Sequence, residues 1–263
     1  HCHTRRQRQM CIRDRSQSGF VLHTAPYKET SLLVDLFAKH FGRIRCVAKG
    51  YRRPNKKGGT QTLFPHTEHH FSWQGRGDLK TLTQAETLQT PRFLKNECLY
   101  AGLYVNELLY RLLHEHDPHE FLFEQYKLFL CQLNNGELDQ RNLRRLELSM
   151  LESLGYGLNL STDAETGFPV DPSSFYRYVP EHGLVKTKQL DATSISEYLG
   201  KDLVSLSRDD LSEISTLRVA KALLRSVIDF YLDGRQLHSR ELYRQYLKTD
   251  FKDDDISFKG DSA

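Results

Sequence analysis

The sequence predicts an α+β protein, in which a small five-stranded barrel precedes a mainly α-helical domain with a small inserted hairpin. Two observations support this prediction. Short β-like segments separated by turn residues fill residues 19–88, and apolar residues recur at helical spacing after Pro91. A length of 263 residues leaves room for two hydrophobic cores, and we expect the helical domain to span residues 89–248.

The predicted barrel consists of five short segments that alternate or are rich in β-branched and aromatic residues. They are FVLHT, SLLVDLFA, RIRCVAKG, TEHHFSW and LKTLTQAE. Turn signals such as Gly75-Arg76-Gly77-Asp78 separate them. Five strands in so short a stretch predict a closed barrel. The OB-fold, which frequently binds single strands, and the SH3-like barrel both fit this count, and the number of strands does not separate them.

The helical domain is predicted from five segments in which apolar residues recur every three or four positions. They cover residues 97–115, 119–133, 142–157, 209–232 and 239–247. Loop-forming residues interrupt this pattern at about residues 159–190, where FYRYV and GLVK predict a hairpin. The inward face of the third segment is predicted to consist of Leu143, Leu146, Met150 and Leu154.

Both ends of the chain lie outside the predicted domains. Residues 1–18 show no apolar period and begin without methionine, so we interpret them as a disordered or non-native tail. Residues 249–263 are polar and rich in Asp, and we expect them to fray. No run of about 18 apolar residues and no apolar signal core occurs, which predicts a cytosolic protein with no membrane partner.

Residues 43–57 give the strongest functional signal. They contain seven basic residues and no acidic one: Arg43, Arg45, Lys49, Arg52, Arg53, Lys56 and Lys57. Such local density predicts a polyanionic partner. Alternation along a strand places the first of these cations on one side and Ile44, Cys46 and Ala48 on the core side. Tyr51, in the loop that follows, is a candidate to stack on a base.

The alternative interpretation of this basic segment is a solvated edge strand whose charges only prevent pairing with other strands. The net charge of +3 does not decide between the two, since many proteins without a nucleic-acid partner carry as much. We favour nucleic acid because the charge is concentrated in one segment.

Metal-binding and catalytic patterns are weak. His66, His69 and His70 surround Glu68, but adjacent strand residues point to opposite faces, so we expect a strand surface and no metal site. The five cysteines are scattered without a CxxC pair, which argues against zinc and against a disulfide framework. No P-loop, GxSxG or HExxH motif occurs. We therefore expect no cofactor and no enzymatic activity.

Arg144 and Arg145 are placed on the predicted outer stripe of the third helix. Surface arginines on helices are usually solvated or paired with a nearby acid, such as Glu147 or Glu152. An arginine beside an apolar groove can instead bind the carboxylate of a partner's C-terminal peptide. The sequence leaves both interpretations open.

Several long segments, all in one order, resemble the bacterial RecO family of DNA repair proteins. They are FVLHTAPYKETSLLVDLFAKHFGRIRCVAKGYRRP, GRGDLKTLTQAE, LYAGLYVNELLYRLL, LRRLELSMLESLGYGLNL and GRQLHSRELYRQYL, between Phe20 and about Leu247. The resemblance implies an N-terminal OB-fold, binding of single- and double-stranded DNA, and annealing of complementary strands. It also implies a cytoplasmic, nucleoid-associated protein.

Two protein partners follow from the resemblance. Family members act with RecR to place the RecA recombinase on strands coated by single-stranded DNA-binding protein. The acidic C-terminal tail of that coating protein docks on the helical domain, in a region that Arg144 matches. Some relatives carry a four-cysteine zinc site in the region of residues 159–178, where this sequence has no cysteine, so we expect no zinc. A protein adaptor without direct DNA binding, and an RNA-binding OB-fold protein, remain alternatives.

Overall fold

The computed structural model describes residues 15–53, 62–91, 93–187 and 197–257. They fall into two compact units. The first contains the described residues up to Glu137 together with those from Leu237 onward, and the second spans Leu138–Gln236. The first unit thus combines the barrel with three helices.

A closed five-stranded barrel forms the N-terminal part of the first unit. Its strands are β1 (Arg15–Tyr27), β2 (Ser31–Ala38), β3 (Gly42–Ala48), β4 (His69–Gln74) and β5 (Lys80–Thr87). The order around the barrel is β1-β2-β3-β5-β4, and β1 closes it by pairing antiparallel with β4. β3 and β5 pair in parallel, whereas the other neighbours are antiparallel. This architecture confirms the predicted OB-like barrel.

The barrel interior follows the alternation that the sequence predicts. Ile44, Cys46 and Ala48 are buried in one apolar cluster with the side chains of the other strands, which confirms the predicted core side of β3. Phe71 and Trp73 of β4 fill the same core, and both are fully buried. Burying large aromatic side chains contributes most to the stability of so small a barrel.

The first strand begins at Arg15, before the predicted barrel boundary at residue 19. Arg15 to Gly19 pair with β4, so the last residues of the predicted tail belong to the barrel. Their side chains are polar, and strand pairing depends on backbone hydrogen bonds rather than on an apolar period. Residues 1–14 lie outside the described part of the chain.

Six helices complete the described structure. They are α1 (Asn96–Leu112), α2 (Glu120–Asn134), α3 (Gln140–Ser153), α4 (Gly200–Ser207), α5 (Ile214–Tyr231) and α6 (His238–Ser257). α1, α2 and α6 belong to the first unit. α6 continues past the predicted start of the polar tail at residue 249. Among the described residues, no helix is long and apolar enough to cross a membrane.

An aromatic cluster fixes α2 to the outside of the barrel. Phe20 of β1 packs on Phe123 and Tyr126, with ring centroids 5.4 and 5.0 Å apart, and Phe37 of β2 lies 5.4 Å from Phe123. The buried Tyr126 hydroxyl donates to the Asn106 side chain in α1, whose amide donates to the Val21 carbonyl at 3.2 Å. Barrel and helices therefore share one continuous packed interior.

The second unit contains α3, α4, α5 and a small sheet. Its strands are β6 (Phe175–Val179), β7 (Gly183–Lys186) and β8 (Glu197–Leu199), in the order β7-β6-β8. The antiparallel pair of β6 and β7 is the predicted hairpin. Leu143, Leu146 and Met150 are buried as predicted, whereas Leu154 is only half-buried. β8 and α4 were not predicted.

Candidate nucleic-acid interface

Two of the predicted DNA-binding arginines are engaged by carboxylates within the first unit. Asp35 of β2, which is fully buried, accepts hydrogen bonds from Arg43 at 3.1 Å and from Arg45 at 2.9 Å. Glu115, after α1, forms an ion pair with Arg43 at 3.3 Å and lies 3.9 Å from Arg45. The basic segment contains no acid, but neighbouring elements supply two.

Arg43 is held on every side of its guanidinium group. Besides its carboxylate partners, its Nε donates to the Leu113 carbonyl at 3.0 Å, and the group lies 5.7 Å from the centre of the Tyr110 ring. The side chain is only 14% exposed. These contacts join β3 to the segment after α1, so Arg43 has a structural role. Arg45, at 34% exposed, reaches solvent more readily.

Two of the remaining predicted cations, Lys49 and Arg53, line an open cavity of about 520 Å³ in the first unit. The cavity lies among the β1–β2 turn, the end of β3 and the start of β5, and its basic lining residues are Lys28, Lys49, Arg53 and Lys80. Hydroxyl groups of Thr30, Ser31 and Thr81 share this lining, and none of the described residues in it is acidic. No acidic side chain in this lining offsets the four cations, which favours a local positive potential, although Lys80 is buried and its ammonium group donates to the Gly77 carbonyl.

The predicted site residues thus fall into separate groups. Lys49 and Arg53 line the cavity. Arg52 supports it, because its guanidinium group donates to the Lys28 carbonyl at 3.2 Å and its backbone N–H donates to the Thr30 carbonyl at 3.0 Å.

Tyr51 packs against the barrel core instead of standing free, and burial raises the pKa of its phenol. Its ring is therefore a poor candidate to stack on a base. Lys56 and Lys57 lie outside the described residues.

Apart from Lys49 and Arg53, sequence reasoning missed the lining residues, among them Tyr27, Lys28, Leu79 and Lys80. Lys80 reaches the cavity because β3 and β5 pair in parallel, which sets Cys46 opposite Lys80. That pairing joins segments far apart in sequence, and no local pattern indicates it. Lys28 occupies a tight turn with a φ of 51°. Of these residues only Tyr27 could have been suspected from the sequence, because an aromatic residue next to a cation is typical of sites that bind single-stranded nucleic acid.

Arg144 is buried, which corrects the prediction that it lies on the outer stripe of α3. It is 6% exposed, and its Nη1 lies 2.9 Å from Glu147 Oε2 one turn along the helix. The packing of α5 against α3 removes this side chain from water. Its Nε has no hydrogen-bond partner among the described residues. A buried arginine is retained because the adjacent carboxylate compensates its charge.

Arg145 is exposed, as predicted, and binds a loop of the second unit. Its Nε donates to both carboxylate oxygens of Asp209, at 2.9 and 3.0 Å. Arg141, one turn earlier, donates to the Leu211 carbonyl at 3.2 Å. Arginines of α3 therefore fix the segment that precedes α5.

The histidines of the HTEHH segment are buried in part, contrary to the predicted strand surface. His66 is 5% exposed and His69 is 1% exposed. Burial lowers the pKa of both, that of His66 to about 4. His66 packs against Gly102 of α1, and His69 stacks on Phe71 of β4 with ring centroids 5.1 Å apart. Among the described residues, no group of three or more His, Cys, Asp or Glu side chains could hold a metal ion.

Comparison with known proteins identifies this combination of barrel and helical domain. The family model for the N-terminal part of recombination protein O matches residues 12–91, and the model for its C-terminal part matches residues 97–241. These matches assign the chain to the class of DNA repair and recombination proteins. The chain belongs to the RecO family, which confirms the resemblance seen in the sequence.

Individual relatives support the same assignment over nearly the whole chain. The DNA repair protein RecO of Actinobacillus pleuropneumoniae serotype 7 is 40% identical over 235 residues, which cover 89% of this chain and 96% of the relative. That of Serratia proteamaculans is 40% identical over 88% of this chain and 94% of the relative. The Yersinia pestis protein of the same name is 41% identical over 88% of this chain and 95% of the relative.

Proposed function

We propose that this protein is a recombination mediator that binds single- and double-stranded DNA at the barrel cavity and anneals complementary strands. The observation that carries the proposal is the cavity lined by Lys28, Lys49, Arg53 and Lys80, with no acidic residue among its described lining. Each phosphate that such cations neutralise releases condensed counterions, which drives association. Annealing then requires only charge neutralisation and local concentration, and no covalent step. The protein acts without enzymatic activity, in the cytoplasm and on the nucleoid.

The second unit is proposed to hold the acidic C-terminal tail of single-stranded DNA-binding protein. Arg145 is 44% exposed and holds the exposed carboxylate of Asp209 in a two-oxygen contact. A carboxylate of the tail can replace Asp209 in the same geometry, since arginine binds carboxylates bidentately. Ile214, which begins α5, is 68% exposed and offers an apolar contact near the same loop.

Arg144 supports this tail site from within α3 rather than contacting solvent, since it is paired with Glu147. Through this tail-docking surface the protein binds strands that are coated by single-stranded DNA-binding protein. Together with RecR it then helps to load RecA on those strands. This part of the proposal rests on membership of the family.

A protein adaptor that does not bind DNA directly is the second candidate. The observation in its favour is that Arg43 and Arg45 are already paired with Asp35 and Glu115, which removes two cations from the predicted basic strip. An adaptor would bind its protein partners with unchanged affinity after the cavity cations are reversed.

Fluorescence anisotropy with a labelled single strand, at several salt concentrations and with the full chain, tests DNA binding. We expect affinity to fall steeply with salt, with a slope of about −0.7 per phosphate contact on a log–log plot. A duplex and a matched RNA strand are measured alongside. Affinity that does not change with salt contradicts the electrostatic mechanism, and preference for RNA favours an RNA-binding protein.

A fluorescence-transfer assay with two complementary labelled strands tests annealing. Titration with a peptide that copies the acidic tail tests the second site, with Arg145→Ala expected to weaken binding and Arg225→Ala on the exposed face of α5 as the control. Equal binding by the parent chain and Arg145→Ala contradicts the tail site.

A further inference from the structure

We infer that the barrel cavity binds one nucleotide of a single strand, with its base against Tyr27 and Leu79 and its phosphate on the surrounding cations. This inference rests on the proposed DNA binding. It adds how the cavity distinguishes a single strand from a duplex. It assigns a base-contacting role to two side chains outside the basic segment.

The cavity has apolar as well as cationic walls. Tyr27, Val47 and Leu79 line it together with the four basic residues. Leu79 is 45% exposed, which leaves a large apolar side chain in contact with water at the mouth of a charged cavity. A site for phosphate alone needs no such surface. A nucleotide has an apolar base face, which can contact the apolar wall, and a charged phosphate, which can contact the cationic wall.

The ring of Tyr27 lies close to one of the cations. The Lys28 ammonium group lies over a face of that ring, 5.4 Å from its centre, so a base that stacks on this face displaces the exposed Lys28 side chain toward the edge of the ring. A base stacked on Tyr27 therefore places its own phosphate within reach of Lys28, since a nucleotide joins the two through one sugar. Stacking of this kind tolerates any base, because every base presents a π-face.

The volume of the cavity suits a ligand of this size. Sites for small molecules and cofactors commonly span about 300–1,000 Å³, and this cavity measures about 520 Å³. A backbone phosphate that merely lies along a basic strand needs no cavity. A duplex keeps its bases stacked and paired, so it offers the cavity only its sugar-phosphate surface, whereas a single strand can turn a base inward at small cost.

Anisotropy of the full chain with three ligands tests this inference: a labelled oligothymidine, the same strand with abasic sites, and a duplex of equal length. We expect Tyr27→Ala to weaken binding of the oligothymidine about tenfold, the effect of losing one stacked base. Binding of the duplex and of the abasic strand should not change. Tyr27→Phe keeps the ring and should bind as the parent chain does.

Two further variants separate folding from base contact. Leu79→Ser alters an exposed side chain, so it tests the apolar wall even if Tyr27→Ala fails to fold, and it should weaken only the oligothymidine complex. Leu88→Ser is the matched control, because Leu88 is another exposed leucine, 53% exposed just after β5 and not in the cavity lining. Thermal melting of each variant checks its fold.

The outcomes distinguish this inference from the proposed function. If Lys49→Ala weakens all three complexes while Tyr27→Ala and Leu79→Ser change none of them, the protein binds DNA through charge alone and the nucleotide site is refuted. Equal weakening of strand and duplex by Tyr27→Ala also refutes it. If the parent chain binds none of the three ligands, the proposed function fails, and the nucleotide site fails with it.

Discussion

Replacing Arg43 with alanine separates a structural arginine from one that binds DNA. Arg43 lies in the basic segment, but its guanidinium group contacts Asp35 at 3.1 Å, Glu115 at 3.3 Å and the Leu113 carbonyl at 3.0 Å. Removing one partner of a buried ion pair costs about 3–5 kcal/mol, because the remaining charge stays uncompensated. Arg45 still contacts Asp35 at 2.9 Å, so we expect a loss near the lower limit, about 3 kcal/mol.

Urea denaturation gives the free energy of unfolding, and anisotropy gives the salt dependence of DNA binding. For Arg43→Ala we expect the stability loss above and an unchanged salt slope under conditions in which the variant is folded. Lys49→Ala should show the reverse: unchanged stability, and a slope reduced by about 0.7 for one lost phosphate contact. A stable Arg43→Ala variant with a reduced slope would refute the structural assignment of this arginine.

Three further substitutions test other parts of the structure. Because the pKa of His66 falls from 6.5 to about 4 on folding, the unfolded chain binds a proton that the folded chain does not. Stability should therefore fall by about 3 kcal/mol as pH drops from 6.5 to 4, and His66→Asn should flatten this dependence in denaturation curves. Gly42→Ala places a Cβ 1.9 Å from the Asp117 carbonyl oxygen at a φ of +67°, and should cost about 3 kcal/mol in urea denaturation. Glu107→Ala removes the carboxylate that accepts from the His238 and Ser239 backbone N–H groups; the loss of about 1 kcal/mol should speed hydrogen exchange at the start of α6. Unchanged pH dependence, unchanged stability or unchanged exchange would contradict the respective prediction.

The fold could be predicted largely from the sequence because its signals are local. The apolar run SLLVDLFA gave the bounds of β2, and FYRYV and GLVK gave those of β6 and β7. β1 was predicted too short, because its first residues pair through the backbone and carry no apolar pattern. The order of strands around the barrel depends on non-local pairing, and the strand count contained no information about it.

The candidate site was predicted only in part, for the same reason. The basic segment was found by its composition, but Asp35, directly opposite Arg45 in the β2–β3 pair, neutralises part of it. A lone Asp within an otherwise apolar strand is a signal that a cation must lie nearby. Lys80 could not be found, since the parallel pairing of β3 and β5 alone brings it to the cavity.

The burial of a helical side chain also could not be predicted from the sequence. Arg144 was placed on the outside of α3 because arginine is usually exposed, yet the structure buries it against Glu147. The pairing itself was one of the interpretations drawn from the sequence, since Glu147 lies three residues away on the same helix face. Whether that face is covered depends on α5, whose packing on α3 is a property of the tertiary structure.

The central claim is that the cavity cations hold DNA. It is tested most directly by anisotropy of a labelled single strand with the double variant Lys49→Glu/Arg53→Glu. The parent chain and the charge-matched double variant Lys221→Glu/Arg225→Glu on the exposed face of α5 serve as controls. We predict that the cavity double variant loses nearly all salt-sensitive binding, while the α5 double variant binds as the parent chain does. Binding that persists in the cavity double variant with an unchanged salt slope would contradict the assignment of this cavity to DNA.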